Sequence, residues 1–361
     1  MQCLPRLVSL LVAMGSVAAV ASAQTTSPPA PAAPVQAPAP PPPQYPTFSI
    51  GLLTYLQYDA ELENRDGFNA FDVTRAYINV TGELARRVKF RITPDVRRVT
   101  DGSVAGSLVF RMKYGYLQYD DLLVKGSWLR AGMHQTPWLD FEEGINRYRV
   151  QGTMFAEREG LIPGSADFGV GFLSPLPGGY GEFQVGLYNG EGYARAEVNR
   201  AKSLQGRFTV RPFPKGPTLK GLRVSTFYNL DSYDRRQPRR RAIVMGSFEH
   251  KRFVGTAEWV GATDRALPTQ AANLTRRGTS VFAEVRQDLE GWAAFGRFDR
   301  LNNDTALVDR STRRSIVGAA YWMKWGKTRL GFVFDDEDVR YDTALARPTE
   351  NRFLGQVHFQ F

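Results

Sequence analysis

From residue 48 onward the chain is a succession of short runs in which apolar and polar side chains alternate. Alternation with a period of two places successive side chains on opposite faces of a β-strand. Val88, Phe90 and Ile92 oppose Lys89, Arg91 and Thr93. Leu108, Phe110, Met112 and Tyr114 oppose Arg111 and Lys113, and Leu204, Phe208 and Val210 oppose Gln205, Arg207, Thr209 and Arg211. Val281, Ala283 and Val285 oppose Glu284 and Arg286. In the last run Phe353, Gly355, Val357, Phe359 and Phe361 share one face, Arg352, Gln356, His358 and Gln360 share the other, and Leu354 is out of phase. A strand with an apolar face is a liability as a bare edge. A barrel that closes its last strand on its first removes the edge.

Sixteen such runs are predicted as strands, near 48–58, 70–81, 86–96, 106–119, 123–134, 165–174, 180–189, 202–211, 219–230, 240–249, 252–262, 275–287, 291–300, 311–324, 327–336 and 350–361. Each is about as long as the 9–11 residues that carry a tilted strand across a bilayer, or slightly longer. No segment shows a convincing 3.6-residue period. The connections alternate between long ones (59–69, 97–105, 135–164, 190–201, 231–239, 263–274, 301–310, 337–349) and short ones. Ten of the eleven prolines after residue 47 fall in connections, as expected of a residue that cannot donate to a ladder. Pro94, in the third strand, is the exception. The pattern predicts an all-β fold, a transmembrane antiparallel β-barrel of sixteen strands with short periplasmic turns and long external loops. An even strand count puts both ends of the barrel on the periplasmic side.

Charge fixes which face is inside. Arg or Lys facing the bilayer midplane costs about 2–4 kcal/mol, so the charged face belongs to the lumen. A lumen holding that many ions is wet rather than packed. The basic residues phased inward, and therefore pore-lining candidates, are Arg75, Lys89, Arg91, Arg111, Lys113, Arg130, Arg207, Arg211, Arg223, Arg286, Arg297, Arg329 and Arg352. The acidic ones are Asp167, Glu182, Glu258, Glu284, Asp299 and Asp335. Without Arg6 the chain carries 45 basic against 36 acidic residues, a net +9, which agrees with a positive lumen that gathers anions. Tyr116, Trp128, Trp259, Trp292, Tyr321 and Trp325, near strand ends, are read as interfacial girdles.

The first 23 residues read as a secretory signal, with Arg6, the mostly apolar Leu7 to Val20, and small residues at Ala21-Ser22-Ala23. Beyond them no apolar run approaches the roughly 20 residues of a transmembrane helix. The sole cysteine, Cys3, leaves with the signal, so a disulfide framework is excluded. Residues 24–47 hold ten of the 22 prolines. They read as an extended polyproline segment, a periplasmic linker without a core. The barrel domain is then 48–361.

The longest connection, 135–164, is the third external loop. A structureless loop of that length is usually functional. It is expected to fold inward and narrow the lumen, its charges setting a transverse field. The constriction candidates are Asp140, Glu142, Glu143, Arg147, Arg149, Glu157, Arg158 and Glu159.

Tyr114-Gly115-Tyr116-Leu117-Gln118-Tyr119 followed by Leu129-Arg130-Ala131-Gly132-Met133-His134-Gln135-Thr136-Pro137-Trp138 resembles the strand–strand–Gly-x-x-x-Thr-Pro signature of the phosphate-selective porin O/P family. Arg75 to Gly82 resembles its early Arg-Ala-Tyr strand, and Leu187 to Gly192 and Arg207 to Phe213 its mid-barrel pattern. The resemblance implies a sixteen-stranded trimeric porin, often anion-selective, whose arginines and lysines lead solutes to a constriction.

No residue pattern asks for catalysis. His134, His250 and His358 stand far apart in no metal-ligand spacing, and no nucleophile elbow, P-loop or dinucleotide glycine pattern is present in context. No enzyme activity, cofactor or metal is expected. Asp335-Asp336-Glu337-Asp338 reads as a solvated acidic start to the last external loop. Arg235, Arg236 and Arg239 to Arg241 read as a basic run that meets external anions, including lipopolysaccharide phosphates, rather than nucleic acid. The expected function is passive diffusion of small hydrophilic solutes, anions preferred and phosphate conceivable, through a channel in a Gram-negative outer membrane. Expected partners are outer-membrane lipid and lipopolysaccharide, small anionic solutes, further copies in a homotrimer, and the barrel-assembly machinery, for which Phe361 resembles the terminal aromatic signal. Two readings compete: a barrel plugged by its long loop that anchors the envelope, and a non-selective or cation-selective general porin.

Overall fold

The structure is a computed structural model and describes residues 44–361 except 64–66, 101, 235–236, 266, 268 and 270–271. The secretory signal, nearly all of the proline-rich segment, and Arg235 and Arg236 of the basic run lie outside the described residues.

Sixteen antiparallel strands close into one barrel in which each pairs with its chain neighbours and β1 pairs with β16. They are β1 Thr47–Glu61, β2 Asn69–Ala85, β3 Val88–Arg98, β4 Leu108–Asp120, β5 Trp128–Gln135, β6 Ala166–Pro175, β7 Gly181–Tyr188, β8 Ser203–Val210, β9 Leu222–Asp234, β10 Gln237–His250, β11 Phe253–Asp264, β12 Leu274–Arg286, β13 Gly291–Asn302, β14 Ser311–Trp325, β15 Thr328–Tyr341 and β16 Glu350–Gln360. Long connections gather at one end, called here the loop end, and short ones at the turn end. Closure runs from Leu53↔Gln360 to Glu61↔Arg352. Beyond it Leu52 and Phe361 exchange two backbone hydrogen bonds of 3.1 Å. Deleting Phe361 removes that pair at the seam. The expected result is a lower yield of folded barrel, measured as heat-modifiable mobility, with unchanged conductance in the barrels that do fold.

Residues of β9 to β15 alternate between inward and outward positions with a period of two. Val224, Tyr228, Val244, Trp259, Val281, Phe298, Val317 and Phe334 are exposed on the outside. Ser225, Asn229, Arg241, Glu258, Glu284, Arg297, Asp299 and Asp335 are buried on the inside. Leu354, out of phase in the sequence, turns inward with Gln356 and His358.

Several expectations need correction. The long loop is not structureless: it contains α1, Leu139–Ile145, and α2, Phe155–Arg158. The supposed connection 231–239 is mostly strand, because β9 runs to Asp234 and β10 starts at Gln237. Pro238 is therefore inside β10, at a shift in the pairing register, the kind of place where a proline can sit in a ladder. Asp335 to Asp338 do not open a loop but alternate within β15. Asp335 and Glu337 face in, and Asp336 is exposed outside.

A second bulge explains Pro94. Thr93 pairs with Tyr114 and Pro94 with Met112, which leaves Lys113 as the extra residue. A bulge reverses the phase of the residues beyond it. Lys113 and Tyr114 are both buried inside, and Tyr116 also turns inward, where Arg130 lies 4.9 Å from its ring centroid. Tyr114 is thus not on the outer apolar face, and Tyr116 is not a girdle residue. Trp128 is not one either: it shares the inward phase of Arg130 and His134, with the Arg130 guanidinium 4.0 Å from its ring centroid. Trp259, Trp292 and Trp325 do face outward, as does Tyr321, packed on Trp292 at 5.1 Å.

The lumen is not uniformly polar. Phe227, Ile243, Met245, Val260, Phe282, Phe295, Ile316, Trp322 and Val333 point inward from β9 to β15 and form one buried cluster with Trp138, Leu139, Tyr148, Met154, Phe155 and Leu161 of the long loop. The interior of β9–β15 thus holds a packed hydrophobic cluster among its polar residues, and the long loop is its other layer.

Candidate functional site

The loop begins where the Gly-x-x-x-Thr-Pro segment ends β5. Gly132 has φ 120° and lies opposite Tyr116 on β4, where any Cβ would strike the Gly115 carbonyl. Only glycine lets the two strands approach there. Thr136 then ties the loop to its own exit, its amide donating to Ser165 O at 3.1 Å and its hydroxyl to Gly164 O at 3.3 Å. Pro137 has no amide hydrogen to continue the ladder, and its carbonyl accepts from Arg207 Nε of β8 at 2.8 Å. The chain therefore leaves the wall at Pro137 and enters the lumen.

Polar anchors then fasten the loop to the far wall. Arg147 and the Tyr148 hydroxyl donate to Glu284 of β12. Gln151 donates to Glu337 of β15 at 2.7 Å, and Arg158 donates to the same carboxylate at 2.7 Å. The carbonyls of Thr153 and Leu161 accept from Arg297 of β13 and Arg241 of β10, and Glu159 pairs with Arg314 of β14. Between these anchors the side chains of Trp138, Leu139, Met154 and Phe155 are almost wholly buried. A seven-residue helix such as α1 is not stable alone in water; its packed face against the wall holds it.

That geometry sorts the constriction candidates. Glu142, Arg147, Arg158 and Glu159 belong to the face that grips the wall. Asp140 is exposed on the other side of α1, with Gly144 beside it, and Glu143, Arg149 and Glu157 are half-buried there. Arg149 joins the two short helices, pairing with Glu143 at 2.7 Å and Glu157 at 3.3 Å. This free side looks across to β2–β5, the near wall. Arg75 Nη1 reaches Glu143 Oε2 at 4.0 Å, and Arg130, Arg91 and Lys113 of the near wall act on Asp140 by charge, as does Arg207 beneath the loop.

The near wall carries cations on aromatic faces. Arg75 lies 4.7 Å from the Tyr77 ring centroid, Arg91 4.3 Å from Tyr114, and Lys113 5.0 Å from Tyr77. Arg111 lies 4.5 Å from Tyr193, a residue of the next long connection, and donates to its hydroxyl at 2.7 Å. Hydrogen bonds hold the guanidinium groups flat. Arg91 donates to Asn79 at 2.7 Å and to Thr93 at 3.0 Å, and Arg130 donates to Gln118 at 2.6 Å and Gln135 at 2.9 Å. The partners of Arg91 and Arg130 are neutral, while Arg111 also pairs with Asp95 at 3.2 Å.

The far wall is the opposite case. Arg207 pairs with Glu182, Arg223 with Glu249, Arg239 with Asp231, Arg241 with Asp264, Arg286 with Glu284, Arg297 with Asp299, and Arg352 with both Asp59 and Glu337. Arg207 and Arg297 are also buried beneath the loop. At the turn end, Lys89 pairs with Asp120 at 2.5 Å and Arg329 rests on Trp322 at 4.7 Å; Arg211 lies just past β8. Of the pore-lining candidates among the described residues, Arg91, Lys113 and Arg130 on the near wall and Arg211 and Arg329 at the turn end have no carboxylate within 4.0 Å. The sequence reading missed the tyrosines that carry them, since an inward aromatic looks like an outward one in a two-residue period.

No protein-family model matches the sequence, and no curated protein matches it. Solved structures do match the fold. OmpT, an outer membrane protein of Vibrio cholerae, superposes with a TM-score of 0.62 at 9% identity over 88% of this chain and 99% of that one. A trimer form of OmpT gives 0.51 at 10% identity over 88% and 100%. An anion-selective porin from Comamonas acidovorans gives 0.59 at 10% identity over 88% and 100%. At such identities the likeness is one of fold alone.

Proposed function

We propose that this protein is an outer-membrane porin, a water-filled channel for small hydrophilic solutes that favours anions. Of the near-wall cations without an acidic partner, Lys113 is buried, so the half-buried Arg91 and Arg130 carry the reading. They face the free side of α1, so a solute passing between loop and wall meets uncompensated positive charge on one side and Asp140 and Glu143 on the other. Such a transverse arrangement orients and selects ions. The outward apolar band supports insertion in a membrane, with the loop end external. The short strand motifs that resemble the phosphate-selective porin O/P family agree with this reading. The loop's five acids argue for a general preference for anions over a dedicated phosphate trap.

Reversal potentials across a planar bilayer in a potassium chloride gradient test the proposal. Chloride should be favoured over potassium severalfold, and phosphate should compete only as an ordinary anion. A cation-favouring potential would overturn the selectivity. The Arg75–Glu143 contact spans the passage and favours a second reading, a barrel plugged at rest; absence of open steps at any voltage would establish it. A homotrimer fits the apolar recess of about 400 Å³ on the outer face of β16, β1 and β2, between Leu56, Phe71 and Val357. Export through a cleaved signal, insertion by the barrel-assembly machinery and contact with lipopolysaccharide belong to the same proposal.

A further inference from the structure

The outer face of the barrel has its own charge pattern at the loop end. Arg300 of β13 is the direct cross-strand partner of Arg313 of β14, and Arg313 is the partner of Arg340 of β15. All three side chains are exposed on the outside. Arg277 of β12, opposite Asn302, is exposed one strand further on. Like charges directly opposite one another on a sheet are destabilising, and three in a row carry that cost twice.

The neighbouring acids do not cancel the row. Arg313 meets Asp342 at 3.2 Å and Arg340 meets Asp338 at 2.8 Å, exposed pairs that contribute little. Arg300 and Arg277 have no carboxylate within 4.0 Å among the described residues. A recess of about 560 Å³ opens beside Arg313 and Arg340, floored by Phe298 and Ser315 and also lined by Asp336, Asp338 and Asn351.

Depth identifies what lies there. On β13, Trp292 faces outward near the turn end, and Arg300 is eight residues along. That is about 26 Å of strand and roughly 20 Å along the membrane normal at a tilt of about 40°. The apolar band of such a barrel is about 25 Å tall, so Arg300 sits at its upper edge. Phe298, Val317 and Phe334 are exposed just below. A molecule that fits both levels has anionic groups at the interface and acyl chains beneath them.

We propose that the outer face of β12–β15 binds the phosphate groups of a phosphorylated outer-leaflet glycolipid, whose chains lie on the apolar band below. This rests on the reading of the barrel as an outer-membrane protein with its loop end external. The site is distinct from the basic run expected from the sequence, in which Arg239 and Arg241 turn into the lumen.

The test uses the full chain folded in neutral detergent, titrated with bis-phosphorylated lipid A, with dephosphorylated lipid A, and with inorganic phosphate, and monitored by native mass spectrometry. Phosphorylated lipid A should bind at least about tenfold more tightly than the dephosphorylated form, and inorganic phosphate should compete only weakly. The variant R300Q/R313Q/R340Q should lose roughly tenfold to a hundredfold in affinity for lipid A. Its heat-modifiable mobility and its conductance in neutral phosphatidylcholine bilayers should be unchanged. If the triple variant folds poorly, Arg300→Gln alone should still lose severalfold. Equal binding of the two lipids by the parent, or undiminished binding by a folded variant, overturns the proposal. Lipid discrimination lost with conductance intact sinks this site alone, and absent conductance with discrimination intact sinks only the channel reading.

Discussion

Phe155→Ala is expected to release the long loop and raise single-channel conductance severalfold, with rapid flicker. Phe155 is 1% exposed, and the tip of its ring fills the space left by Gly278 on β12, where a Cβ would sit 2.5 Å from the ring. Truncating a buried phenylalanine costs about 3–5 kcal/mol. That changes the ratio of seated to unseated loop by roughly two to nearly four powers of ten. The four-residue α2 has no stability of its own to resist this, and only the polar anchors around it, Arg158–Glu337, Glu159–Arg314 and the Thr153 and Leu161 carbonyls, remain to hold it. Each barrel strand keeps both neighbours, so the folded yield should hold while the passage widens. Unchanged conductance from a folded Phe155→Ala barrel would show that the loop does not bound the passage.

Replacing Arg91 and Arg130 together by Glu is expected to turn the channel from anion-favouring to cation-favouring. Both arginines are held by neutral partners, so nothing nearby masks the change of sign. A unit charge about 5 Å from a passing ion is worth about 1–3 kcal/mol between the dielectric limits of water and a protein surface. Two reversals at the same passage therefore outweigh a preference of severalfold. The paired change R223Q/E249Q removes one cation and one acid of the far wall and should leave the reversal potential where it was. A double Glu variant that still favours chloride would place the selectivity elsewhere.

Much of this architecture is legible in the sequence. Where polar and apolar residues alternate strictly, as in β3, β8 and β12, strand and facing both come from the period. The number of strands and the inward fold of the loop came from spacing and length. Two physical features hid the rest. A bulge changes the phase without changing composition, so a strict two-residue period puts Tyr114 and Tyr116 on the wrong face. An inward apolar residue violates the polarity rule used to find the inside, so Phe227, Ile243, Phe282 and Trp322 gave no sign of an internal core. The division of arginines between paired and unpaired depends on partners as remote as Glu337 for Arg158, which no local pattern relates.

The loop's anchors also impose an order of events during biogenesis. Arg147 and Glu284 are 137 residues apart in the chain, and Gln151 and Glu337 are 186 apart. Contacts so distant are slow to form, because the chain between them must be organised first. The loop emerges after β5, but its docking surface is completed only with β15. Until then its aromatic side has nothing to cover it and is a liability for misassociation. Seating of the loop is therefore a late event that reports a nearly finished cylinder. Protection of α1 and α2 from proteolysis should appear only after the last hairpin has joined.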